Sequence, residues 1–431
     1  MHRRNLLKLG IGLSALPAAA TDVAAVAVCS EAGGAKRAAA VYIPGYSPEY
    51  GYAEGISVKE HPRFTRAIPP GYDGPVRMMT RIGPDGDIRQ ALFPVGHAVA
   101  ISPDGKLGFF CAMEGGNHVA FDPETLDLVA SGEPPGDGWV GGGHGAYVED
   151  GKLLAVSERA PLTGYLGDPQ SHYGRVTLRD PETLGIVETF STHGISPHDL
   201  RLLPDGRHVA IAHYGSTYPP GGTFYGVPRH IVEPSITIVD LTDGKLIDKI
   251  ETGSSDFELR HLCVADTDTL FAIQVETAER ADELLYRMDE KIAYEIEETV
   301  DDVAYLPAAT LIMRRQVHEV RNAGDDAAQS LMRHGTSIAY DEQYAEIIAT
   351  FPGSHRVMVF DAKSGAVRRS INCAAIGLDH PSGLAIVPGG EHYVVTGYWK
   401  NLFVFRRGTH ELVREMCAYT TFFGHSHIAV G

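Results

Sequence analysis

The sequence predicts an all-β fold, a seven-bladed β-propeller, on three observations. First, a histidine opens each of seven β-rich repeats. These are G-H-A-V-A-I-S at His97, G-H-G-A-Y-V at His144, P-H-D-L-R-L-L at His198, R-H-L-C-V-A at His261, R-H-G-T-S-I-A-Y at His334, H-P-S-G-L-A-I-V at His380, and H-S-H-I-A-V-G at His425 and His427. Successive histidines stand 47, 54, 63, 73, 46 and 45 residues apart, and a residue recurring at roughly 40–50 residues marks a propeller blade. Second, the repeats share one internal plan. Third, the two ends of the chain complement each other.

The internal plan is strand, tight turn, strand, loop, strand, tight turn, strand. After His97 come S-P-D-G-K-L-G-F-F-C-A-M and H-V-A-F-D-P-E-T-L-D-L-V-A-S-G; after His198, L-P-D-G-R-H-V-A-I-A-H-Y and S-I-T-I-V-D-L-T-D-G-K-L-I-D-K-I; after His380, V-P-G-G-E-H-Y-V-V-T-G-Y and L-F-V-F-R-R-G-T-H-E-L-V-R-E. Asp-Gly and Gly-Gly pairs supply the positive φ that tight hairpins need, and four antiparallel strands per unit suit a blade better than a sandwich. The C-terminus ends on a single strand, His427-Ile428-Ala429-Val430. The N-terminal region offers three, at Ala38–Ile43, Met78–Ile82 and Ile88–Phe93. One plus three completes the seventh blade and leaves no open edge.

Residues 38–431 therefore read as a single propeller domain, in keeping with 48 glycines and 26 prolines. Residues 277–323 break the pattern, since their Glu, Asp, Arg and Ala content predicts a helical insertion in the fourth blade. Residues 1–20 read as an export signal, with Arg3-Arg4 close to the twin-arginine pattern and Pro17-Ala18-Ala19-Ala20 as a cleavage site. Residues 21–37 read as a linker, and Val28 before Cys29 does not suit a lipoprotein box. A periplasmic location, no membrane span and a monomeric state are the expectations. The five cysteines lack C-x-x-C spacing and read as small buried residues, and without C-x-x-C-H covalent haem is not expected. With 37 basic against 55 acidic residues, the net charge of -18 excludes nucleic acid as a partner. No nucleotide-binding motif appears.

The innermost strand of each blade lines the central channel, so one histidine at each entrance predicts a ring of imidazoles at one mouth. Imidazole is the commonest protein ligand of Zn, Cu, Fe and Ni. The metal-ligand candidates are His97, His144, His198, His261, His334, His380, His425 and His427, with His144, His198 and His261 foremost. Glu114, Glu158, His213 and Gln274 fall one hairpin after their histidines, where hairpin geometry returns them to the same end to orient imidazoles or ligate. Arg260 suits an anionic co-ligand. His61, His118, His172, His193, His208, His230, His318, His355, His392 and His410 read as surface residues.

The runs G-G-G-H-G-A-Y-V-E-D-G-K-L-L-A-V-S-E, H-G-I-S-P-H-D-L-R-L-L-P-D-G, E-L-R-H-L-C-V-A and F-A-I-Q-V-E resemble an uncharacterised family of exported bacterial propellers, catalogued as a domain of unknown function. The resemblance spans roughly residues 38–360. It implies the propeller fold, the periplasm, and partners among periplasmic iron- or copper-handling proteins, since members are often encoded beside imelysin-like iron-uptake proteins. The C-terminal third is closer to generic lactonase and surface-layer repeats. A histidine ring at a channel mouth also resembles the nitrous oxide reductase propeller, but that enzyme's paired-histidine motifs are missing here. The expectation is a periplasmic propeller holding Cu, Fe or Zn for metal uptake, handling or a metal-dependent reaction. Its alternatives are a lactonase-like enzyme using Ca²⁺ held by Glu114, Asn117, Glu158 or Asp199, a small-ligand binder, or a protein-binding scaffold. No G-x-S-x-G elbow supports a serine hydrolase.

Overall fold

The computed structural model describes residues 28–32, 35–46, 65–72, 74, 76–94, 96–113, 117–161, 167–217, 230–276, 306–398, 400–421 and 427–431. Of the nine β-sheets these residues form, seven are arranged as the blades of a propeller, and the other two are two-stranded, Val28–Ala32 with Ala35–Ala39 and Ser216–Thr217 with His230–Ile231. Each blade's innermost strand touches the next around the full circle. Blade 1 runs from Gly96–Ile101 to Leu128–Gly132, blade 2 from Val140–Val148 to Ile186–Ile195, and blade 3 from Pro197–Leu202 to Leu246–Glu251. Blade 4 runs from Phe257–Val264 to Glu319–Asn322, blade 5 from Ser337–Asp341 to Val367–Asn372, and blade 6 from Pro381–Ile386 to Ala418–Thr421. In blade 7, C-terminal Ala429–Val430 pairs antiparallel with N-terminal Val41–Tyr46, followed by Val76–Ile82 and Ile88–Pro94. Mutual hydrogen bonds between Ala40 and Gly431 extend that seam.

Local sequence explains the hairpins. In D-P-E-T-L and its variants, the Asp122 carboxylate accepts from the amides of Glu124 and Thr125, and the Asp361 carboxylate accepts from those of Lys363 and Ser364. Such side-chain bonds stabilise a turn independently of the ladder. The cores lie between blades rather than within them. Phe109 and Ala120 of blade 1 meet Leu154 and Val156 of blade 2. Phe271 and Ile312 of blade 4 meet Ile347, Phe351 and Phe360 of blade 5. Tyr42 and Phe93 of blade 7 meet Phe110 and Phe121 of blade 1. A single sheet is apolar on both faces here and needs two neighbours, so closing the ring buries the last pair.

Two expectations change. Residues 277–305 of the expected helical insertion lie outside the described residues. Within 306–323, Leu311–Arg314 and Glu319–Asn322 are instead the outer strands of blade 4; L-I-M-R and E-V-R-N are short strand-forming runs that the helix formers upstream obscured. Within the expected linker, Val28–Ala32 pairs with Ala35–Ala39 as a hairpin. The signal segment, residues 1–20, lies outside the described residues. No helix among the described residues is long and apolar enough to cross a membrane. Cys111, Cys263, Cys373 and Cys417 are free and buried.

Candidate metal centre

Five of the histidines converge. One ligand atom from each of His97, His144, His198, His261 and His427 lies within 4.8 Å of every other. Ring centroids stand 4.2 Å apart for His97 and His427, 4.6 Å for His144 and His198, and 4.5 Å for His261 and His427. All five are buried.

Irregularities in the innermost strands aim these side chains inward. In blade 1 the register jumps between Gly96 and Val99, so His97 and Ala98 share one opposing residue. In blade 3 it jumps between Pro197 and Leu200, across His198 and Asp199. In blade 2 the break runs from Gly141 to Gly145 and holds His144, and in blade 4 Arg260 is the extra residue before His261. A bulge redirects side chains that a regular strand would alternate between faces. Blade 2 also brings bare backbone into the centre. Gly143 has φ +104°, and a Cβ there would lie 2.9 Å from the His97 ring and 3.0 Å from that of His198. A Cβ on Gly142 would strike Ser157 Oγ at 2.3 Å. Ser157 Oγ in turn donates to the His198 carbonyl at 2.8 Å, binding blade 2 to the bulge of blade 3.

His334 and His380 do not join. In blade 5 the inner strand begins at Ser337 and pairs without a bulge, leaving His334 three residues upstream with φ 51°. In blade 6 the bulge falls on Ser382 and Gly383, so Ser382 holds the place that His97 and His198 hold elsewhere. The His380 ring lies against His355, centroids 4.2 Å apart. His425 lies outside the described residues.

A hydrogen bond sets the tautomer of His198. His198 Nδ1 donates to the Gly142 carbonyl at 2.6 Å, which leaves Nε2 as its lone-pair nitrogen, 3.0 Å from His261 Nε2. His144 Nδ1 stands 3.1 Å from Asp199 Oδ1, while its Nε2 is buried with no hydrogen-bond partner. An imidazole held by a carboxylate on one nitrogen and free on the other is the arrangement that orients metal ligands. Asp199 is itself anchored by the Leu262 amide at 3.1 Å and by Arg201 at 3.3 Å. Burial pushes its carboxyl up, but Arg201 and His144 together hold it well below the usual carboxylate range. Burial also depresses the imidazoles. His144 is lowered despite Asp199, while His198 and His261 fall well below 6.5, each reinforced by the ring of His144. All three are therefore neutral, the form that binds a metal.

The residues expected to support the ring are placed differently. Glu158 is buried between His118 Nε2 at 3.1 Å, Thr177 Oγ1 at 3.1 Å and Arg179 Nη2 at 2.7 Å, away from the cluster. Gln274 donates to the Ala309 carbonyl at 3.0 Å. His213 lies under Gly194 with its Nδ1 3.3 Å from the Ser235 carbonyl, and burial lowers its pKa to about 3. The neighbouring Tyr214 is the residue beside the cluster, its ring 4.6 Å from His198. Arg260 pairs with Glu258 at 3.2 Å and stands 5.5 Å from the Tyr214 ring. Glu114 lies outside the described residues. Of the histidines expected at the surface, His118, His172 and His410 are buried. Asp199 was visible in the P-H-D run; nothing in the sequence singled out Tyr214.

The fold and the site define a β-propeller with a buried polyhistidine cluster at its centre. The chain belongs to the family described as "Protein of unknown function (DUF1513)", whose model matches residues 91–427. No curated protein matches it. Among solved structures, Kuenenia stuttgartiensis hydrazine synthase is similar with 16% identity and a TM-score of 0.50, covering 83% of this chain and 99% of that chain. At that identity the similarity is one of fold.

Proposed function

We propose that this is an exported, periplasmic metal-binding propeller that holds one first-row transition-metal ion in the five-histidine cluster, as a metal-handling protein or a metal-dependent enzyme. The single observation behind the reading is the set of five imidazole nitrogens within 4.8 Å of one another. Ligands on opposite sides of one ion at about 2.0–2.1 Å lie about 4 Å apart. The cluster thus needs a contraction of only about 1 Å to enclose one ion and is too tight for two. An all-nitrogen set favours Cu, Zn or Fe over Ca²⁺ or Mg²⁺, and copper(II) binds tightest in the divalent series. The lactonase-like alternative gains no support, because both oxygens of Glu158 face His118 and one also takes Arg179. Two clefts among the described residues, of about 520 and 590 Å³, lie away from the cluster, one beside Trp139 and Arg175 and the other beside Pro103 and Asp150.

Export by the twin-arginine route fits this reading, since that route carries proteins already folded around a cofactor. Partners among iron- or copper-handling exported proteins follow from the same proposal. The test is metal analysis of protein exported by a bacterial host, then stripped and reloaded separately with Cu, Zn and Fe. One tightly held ion per chain supports the proposal. Only sub-stoichiometric, easily dialysed metal in all three loadings overturns it.

A further inference from the structure

Arg159 is a fully buried cation without a counter-ion among the described residues. Its residue exposure is 1%. Its Nη2 donates to the Gly142 carbonyl at 3.2 Å, its Cζ lies 4.8 Å from the Tyr214 ring, and its Nε has no hydrogen-bond partner. No carboxylate among the described residues pairs with it. The other deeply buried arginines are neutralised, Arg179 by Glu158 at 2.7 Å and Arg407 by Asp341 at 2.6 Å. An uncompensated buried charge is among the costliest features of a folded chain, and its persistence points to an anion.

The Gly142 carbonyl that accepts from Arg159 also accepts from His198 Nδ1 at 2.6 Å, so one carbonyl links the guanidinium to a ring of the histidine cluster. Arg260, with a second buried Nε lacking a partner, flanks the same tyrosine. The five imidazoles bring no negative charge to a bound dication. The nearby carboxylate of Asp199 is engaged with His144 and Arg201, and that of Glu258 with Ser216 and Arg260. Metal loading therefore adds positive charge beside Arg159.

We propose that a small inorganic anion binds at Arg159, against the metal ion of the histidine cluster and beside Tyr214, with Arg260 as a second cationic contact. The inference rests on the metal reading for its second contact, while the arginine contact stands without it. The anion completes the coordination of the ion and neutralises the guanidinium. The burial of all five histidines restricts it to a few atoms.

The probe is azide, titrated into copper(II)-loaded protein and followed by its charge-transfer absorption. Wild type is expected to bind azide at least about 30-fold more tightly than Arg159→Met, both carrying equal copper. Metal-free protein is scanned thermally in parallel. Azide should raise the wild-type midpoint but not that of Arg159→Met, which in azide-free, weakly coordinating buffer should be no less stable than wild type because a buried charge has been removed. Equal azide affinity at equal copper content overturns the anion site and leaves the metal reading standing. If neither protein holds copper, the metal reading fails and the thermal shift alone decides: a wild-type shift abolished by the substitution upholds the arginine site, and no shift overturns it. Should Arg159→Met not fold, Arg159→Lys serves, keeping the charge but losing the planar fork. It is expected to weaken azide binding, and undiminished affinity overturns the proposal.

Discussion

Replacing both His144 and His198 with Ala is expected to abolish stoichiometric metal binding while leaving the metal-free propeller folded. Loss of a hydrogen-bonding partner behind a ligand commonly costs 10–100-fold in affinity. Removing two ligands should therefore cost on the order of 10⁴-fold or more. The scaffold should survive because neither imidazole anchors an apolar core. The cores lie between blades, at Phe109 with Leu154 and at Phe271 with Phe351. In chelator the double variant should melt somewhat lower than wild type but still cooperatively, since it leaves cavities and takes one partner each from the Asp199 carboxylate and the Gly142 carbonyl. Asp199→Asn should fall between, weakening binding about 10–100-fold by removing the charge behind His144 Nδ1. Competition titration against a chelator of known affinity checks all three. Wild-type affinity in the double variant would show that the ion sits elsewhere.

The second large effect is on acid stability. His144, His198 and His261 are neutral in the fold because burial lowers their pKa values, and His213 and His334 are lowered to about 3 by the same cause. In the unfolded chain all five titrate near 6.5. Their contribution to stability is present above pH 6.5 and is lost as pH falls from there toward the folded values. Each group contributes up to ~1.4 kcal/mol per pH unit across that interval. Carboxylates such as Asp104 and Asp361, both lowered to about 2, lose their contribution only below their unfolded values near 4. The interval from about pH 6.5 to 4.5 is therefore governed by the histidines. Denaturant unfolding of metal-free protein should weaken steeply across it, and less steeply in the double variant. A flat profile, or an equal slope in both, would contradict buried neutral imidazoles. Metal release should likewise begin well below 6.5, the value that unperturbed histidines alone would set.

The blade plan was legible in the sequence because it is written in local chemistry. Asp-Gly turns and the Asp122 and Asp361 turn carboxylates fix hairpins within a few residues. The histidines were legible as a recurrence, but recurrence does not report register. Whether His97 or His334 reaches the centre depends on a bulge, and a bulge is a property of the pairing of two strands. Ser382 occupies the bulge position in blade 6, so His380, two residues earlier, is left against His355. The same blindness moved the supporting roles. Glu158 lies one hairpin after His144, as expected, yet strand alternation gives Ser157 to the cluster's backbone and Glu158 to His118 and Arg179. In A-H-Y-G the histidine drew notice and the tyrosine lies beside the ring. Asp199 does its work across a blade boundary, toward His144, which no spacing within one repeat reveals.

Five imidazoles of the propeller are proposed to bind one ion. X-ray absorption at the metal edge of protein loaded with one equivalent of copper(II) reads that coordination. The first shell should be dominated by nitrogen at about 2.0 Å, with the outer-shell scattering pattern of several imidazole rings. Substitution at His144 and His198 should remove that pattern. A first shell of mostly oxygen with at most one or two imidazoles, unchanged in the double variant, would contradict it.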